Sequence, residues 1–115
     1  MKSDVSIIAE KAETSLFALQ AEFDNYQNTF FTLRSPEFFC LELNGEAGEL
    51  ANDEKKLWKG KSIPLEKIAS EAADVFIALM NYSNARKINL GLAVREKLEY
   101  IDKRRIELAE NKEQY

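Results

Sequence analysis

Histidine is absent from the 115 residues. Its absence removes Ser-His and Cys-His nucleophile pairs, His-based zinc sites and the Glu-x-x-His ligands of di-iron bundles. Cysteine occurs once, at Cys40, so no disulfide can form within the chain. Two prolines and four glycines exclude collagen-like and low-complexity chains. No long apolar run is present, and the opening MKSDVSIIAEK has neither the core of a signal peptide nor a membrane span, so a cytoplasmic setting is expected. What is there is ordinary for a globular protein: 45% hydrophobic and 31% charged residues. The length suits one compact domain, and residues 1–115 are expected to form a single all-helical unit.

The formal charge is −4, from 20 acidic and 16 basic residues. A net negative chain is a poor partner for nucleic acid or an anionic membrane, and neither is expected. The charge is uneven. Residues 1–36 carry five acids and three bases, residues 37–74 nine acids and five bases, and residues 75–115 six acids and eight bases. An acidic middle is followed by a basic end.

Apolar residues at steps of three and four predict helices and no strands. Ile8, Ala12, Leu16, Leu19, Phe23, Tyr26 and Phe30 form one stripe, beginning near Ser3 or Asp4. Ser35, Pro36 and Glu37 read as the start of a second helix: a hydroxyl cap, a proline whose missing N–H costs nothing there, and an acid favoured by the helix dipole. That helix runs to about Trp58, where Lys59-Gly60-Lys61-Ser62 breaks it. Pro64 opens a third helix that runs to about Lys87. Asn89 caps a fourth, in which Val94, Leu98, Ile101 and Leu108 are expected inside and Arg95, Lys103 and the stretch from Asn111 to Gln114 in solvent.

The chemistry sits on the second and third helices. With Glu42 as the zero of angle, Glu46 falls at about +40°, Glu49 at about −20° and Asp53 at about +20°. Phe39, Leu43, Leu50 and Leu57 lie on one flank of this stripe, and Phe38, Leu41, Gly45 and Gly48 on the other. The acids are therefore expected in the middle of the apolar sector. Glu71 and Asp74, set among Ile68, Val75, Ala78 and Leu79, are expected to point inward likewise. An acidic run is more often a solvated face, but like charges at i,i+4 with no basic partner destabilise a helix by roughly 0.2–0.5 kcal/mol per pair. Facing carboxylates need a cation, and an all-oxygen ligand set selects Mg2+ or Mn2+ over zinc or copper.

The segment Leu43-Asn44-Gly45-Glu46-Ala47-Gly48-Glu49-Leu50, followed by Glu71-Ala72-Ala73-Asp74-Val75, resembles the Glu-x-x-Glu … Glu-x-x-Asp signature of the MazG-like all-α nucleoside triphosphate pyrophosphohydrolases. The two halves are separated by 21 residues, and the resemblance spans roughly residues 20–105. It implies an all-α, four-helix core completed by a homodimer or homotetramer. It also implies Mg2+-dependent hydrolysis of a nucleoside triphosphate to the monophosphate and pyrophosphate, a house-cleaning reaction on non-standard or surplus nucleotides. Carried over by residue, it makes Glu46, Glu49, Glu71 and Asp74 the metal ligands. Relatives place Lys-x-x-x-Asn-x-x-Arg on the last helix; Lys97 and Arg104 match as phosphate contacts, while Ile101 stands at the asparagine position. Phe30 and Trp58 are expected to hold the base, with Asn81 and Tyr82 lining the site.

With no histidine, a carboxylate must act as base. Glu42 and Asp53 are the candidates, beside the catalytic pair Glu46 and Glu49. Attack at the α-phosphorus is favoured over the β. The residues alone also suit a non-catalytic helical oligomerisation or binding module with a structural divalent cation. They name no base, sugar, ion count or subunit number.

Overall fold

The structure is a computed structural model that describes residues 3–112. Among the described residues all regular structure is helical, in four segments: α1 (Asp4–Phe30), α2 (Pro36–Trp58), α3 (Leu65–Ala85) and α4 (Leu90–Glu110). No helix among them is long and apolar enough to cross a membrane. Glu113 and Gln114, expected in solvent, lie outside the described residues.

The helix ends follow from local chemistry. Ser35 Oγ accepts the Phe38 N–H at 3.3 Å, and Pro36 occupies the first turn, where its ring needs no donor. Asn89 Oδ1 accepts the Leu92 N–H at 3.0 Å and caps α4. After α2, Gly60 takes φ 89°, a conformation without steric cost only for glycine, and its N–H bonds the Leu57 carbonyl at 2.9 Å.

The chain divides into two compact units: residues 3–25 with 88–112, and residues 26–87. In the first, α1 and α4 meet at Gly91. A Cβ on that residue would stand 2.6 Å from the Glu13 carbonyl oxygen, so only glycine admits this approach. Gln20 clamps the entry to α4, its Nε2 donating to the Ile88 carbonyl at 2.6 Å and its Oε1 accepting the Leu90 N–H at 3.0 Å. Arg95 is not in solvent as expected. It is half-buried and bonds Glu13 at 2.6 Å and Glu99 at 3.1 Å, because the close approach at Gly91 brings Glu13 within reach. Leu108 is buried, Val94 and Leu98 half-buried, and Ile101 remains exposed.

In the second unit α2 and α3 form a hairpin, with residue 53 opposite residues 67 and 71. The buried side of α2 carries Phe39 and Asp53, with Leu43, Glu46, Leu50 and Leu57 half-buried. The opposite flank is open. Leu41 is 74% exposed, and no atom comes within 4 Å of a Cβ placed at Gly45 or Gly48. The buried sector is therefore centred on Phe39, Leu50 and Leu57, and the acidic stripe lies at its edge instead of its middle.

Candidate functional site

At the end of the hairpin nearest the connecting turn, Asp53 on α2 and Glu71 on α3 are both buried. Lys67 lies one turn before Glu71 on α3. Its ammonium bonds the Asp53 carboxylate and, at 2.7 Å, Glu71 Oε1. The hydrogen bond from Lys67 is the main reason that the Asp53 carboxyl sits below its ordinary range, and the same contacts hold the lysine well above its own. The spacing of residues 67 and 71 is the i,i+4 pairing that a helix offers for opposite charges. The spacing is visible in the sequence, and it gives Glu71 a basic partner on its own helix.

Further along the hairpin lie carboxylates with no ion pair among the described residues. Glu46 is half-buried and its carboxyl is pushed up, first by loss of solvent and then by the charges of Glu49, Asp74 and Glu42. Glu46 Oε2 is buried and has no hydrogen-bond partner, and the same holds for Glu71 Oε2. Glu42, Glu49 and Asp74 are exposed. Of the six acids expected to point inward, Asp53 and Glu71 are buried, Glu46 is half-buried and three face solvent.

Among the described residues no three acids converge into a ready-made metal cage. The donor chemistry nonetheless fits a hard divalent ion. All the donors are oxygens, and two of them are buried with lone pairs unmet. Mg2+ characteristically takes only one or two carboxylates and completes its shell with water and substrate phosphate.

A cleft of about 370 Å³ opens beside this cluster in the same unit. Gln27, Thr32, Arg34, Phe38, Glu42 and Asn81 are among the residues that line it. Asn81 is 8% exposed, and the Arg34 guanidinium lies 4.7 Å from the centre of the Phe38 ring. Glu42 and Asn81, singled out in the sequence for different roles, thus share one cavity. Gln27, Thr32 and Arg34 were not foreseen, because the cleft is formed by the return of the chain between α1 and α2, which helical periodicity does not describe.

The remaining candidates lie elsewhere. Phe30 is 71% exposed and its ring centre is 5.6 Å from that of Tyr26; its neighbour Phe31 lines the cleft. Trp58 is 89% exposed and lies about 18 Å along α2 from Glu46, at 1.5 Å per residue. It borders a shallow apolar groove with Ala51 and Lys55. Tyr82 is half-buried. Lys97 and Arg104 belong to the other unit. There the Lys97 ammonium is 5.3 Å from the centre of the Tyr100 ring, and Arg104 Nη1 bonds Glu107 Oε2 at 2.9 Å.

No protein-family model, no curated protein and no solved structure matches the chain. A functional reading therefore rests on its own residues.

Proposed function

We propose that the chain is a Mg2+-dependent nucleoside triphosphate pyrophosphohydrolase that converts a (d)NTP and water to the (d)NMP and pyrophosphate, removing non-standard or surplus nucleotides. One observation carries the reading. Glu46 loses solvent and feels the charges of Glu49, Asp74 and Glu42, and among the described residues one of its oxygens is buried and unpartnered. Such an arrangement costs stability unless a ligand completes it.

Glu46, Glu49, Glu71 and Asp74 would hold the Mg2+, with Mn2+ as an alternative. The ion, when bound, supplies positive charge against the triphosphate and makes water more acidic. Glu42, exposed at the mouth of the cleft, is the better placed of the two further acids to take the proton from the attacking water. Asp53 is held ionised by Lys67 and is a weak base as a result. Phe38 and Phe31 offer flat apolar faces to a base, and Asn81 a buried amide for its edge. Lys97, Arg104, Phe30 and Trp58 serve this reading as contacts for phosphate and base in a homodimer or homotetramer. The open apolar flank at Leu41, Gly45 and Gly48 supports such an assembly.

The test is a panel of standard and modified nucleotides with Mg2+ or Mn2+, assayed for pyrophosphate. Release that disappears in Glu49→Gln and Asp74→Asn supports the proposal, and no pyrophosphate from any nucleotide overturns it. A second reading, a helical binding or oligomerisation module with a structural divalent cation, is favoured by the exposed flank of α2 at Leu41, Gly45 and Gly48. It predicts thermal stabilisation by the ion without turnover.

A further inference from the structure

We propose that Lys67 is a built-in counter-cation of the acidic site, and that its ammonium lets go of Glu71 when a divalent cation is taken up. The inference rests on the reading above only in treating the carboxylates as a cation site. Asp53 and Glu71 face each other from α2 and α3, and both are buried. Two such carboxylates are tolerated in one place only with positive charge between them. Lys67 supplies it, but incompletely, because it bonds Glu71 through Oε1 while Oε2 is buried without a partner. Glu71 as a whole is 9% exposed, so water does not make up the difference.

The lysine is held at its head alone. Its side chain is 53% exposed, so much of the four-carbon stem already lies in solvent and is free to turn outward. A divalent ion that engages Glu71 puts two positive charges where the ammonium already provides one. The two cations then repel and share one acceptor, and each must weaken the hold of the other by the same factor. Of the neighbouring bases, Lys56 acts on Asp53 only through its charge, whereas the Lys67 ammonium is hydrogen-bonded to both Asp53 and Glu71. The antagonism therefore falls on Lys67. In the metal-free chain this residue keeps the hairpin closed around buried acid, and the ion replaces that function on arrival.

The experiment is direct Mn2+ titration of the full chain and of Lys67→Met, followed by electron paramagnetic resonance, with folding checked by circular dichroism. The expected result is Mn2+ binding about tenfold tighter in Lys67→Met, within the usual range of coupling between two sites. Equal or weaker binding by the variant overturns the inference while leaving the cation site in place. Absence of Mn2+ binding by both proteins overturns the inference together with the functional reading on which it rests. Should Lys67→Met fail to fold, the wild-type chain decides. The 15N signal of the Lys67 ammonium, protected from exchange by its ion pairs, should shift and broaden on saturation with Mg2+. A signal that does not change on saturation overturns the proposal.

Discussion

Near the turn that joins α2 to α3, Asp53 and Glu71 are buried around the Lys67 ammonium. Two turns away on the same hairpin, Glu46 is half-buried among Glu42, Glu49 and Asp74, all of its own sign. Burial alone therefore does not separate a structural acid from a functional one; the partner does. Where charge is matched, the Lys67 ammonium holds the Asp53 carboxyl below its ordinary range and ties α2 to α3. Where it is not, the chain sustains repulsion that packing does not require, and such strain marks the place where a ligand is to be expected. Even at the matched end Glu71 is only half satisfied, with one oxygen on Lys67 and the other buried without a partner.

The largest effect that would break this contrast is on activity. Glu49→Gln and Asp74→Asn, each removing an exposed charge from the unmatched end, should lower pyrophosphate release by about a hundredfold or more with helicity intact, since even residues supporting a metal ligand contribute 10–100-fold. Next come two substitutions of opposite sign in the metal-free protein. Lys67→Met should lower the melting temperature, because it leaves two buried carboxylates without a cation, whereas Glu46→Gln should raise it by relieving repulsion. Equal signs in a pair of thermal melts would erase the distinction between the two ends.

The pH dependence sharpens the same comparison. The folded Glu46 carboxyl lies above its ordinary value of 4.5, so its contribution to stability is complete below 4.5 and is lost as pH rises through the folded value. The folded Asp53 carboxyl lies below its ordinary value of 3.8. Its contribution is present above 3.8 and is lost as pH falls through the folded value. Denaturant unfolding of the metal-free chain should therefore gain from acidification toward 4.5 and lose below 3.8. Glu46→Gln should remove the first arm and leave the second. The smallest effect is at Gly48→Ala. With open space around the Cβ position, the change should stabilise the isolated chain by about 0.5–1 kcal/mol. A loss of nucleotide binding or of assembly alongside that gain would show that something approaches this flank closely.

Much of the fold was legible because helix ends are local. Ser35 with Pro36, Gly60 and Asn89 each act within a turn of themselves, and they set the start of α2, its end and the start of α4. The site was legible in part. Helical angles place Glu42, Glu46, Glu49 and Asp53 on one stripe, but they do not say which side of the stripe the neighbouring helix covers. It covers the side of Phe39, Leu50 and Leu57, and Glu42 and Glu49 are left in solvent for that reason. Lys67 was within reach of the sequence as the i,i+4 partner of Glu71. Arg95 was not, because its link to Glu13 spans 82 residues and depends on the missing side chain of Gly91.

The unmatched carboxylates as a cation site are tested most directly by thermal melts of wild type and Glu46→Gln, each with and without Mg2+. The account predicts that the metal-free variant melts above metal-free wild type, that Mg2+ raises the wild-type transition, and that it raises the variant's far less. A wild-type transition that Mg2+ does not move, or an equal rise in both proteins, would contradict it.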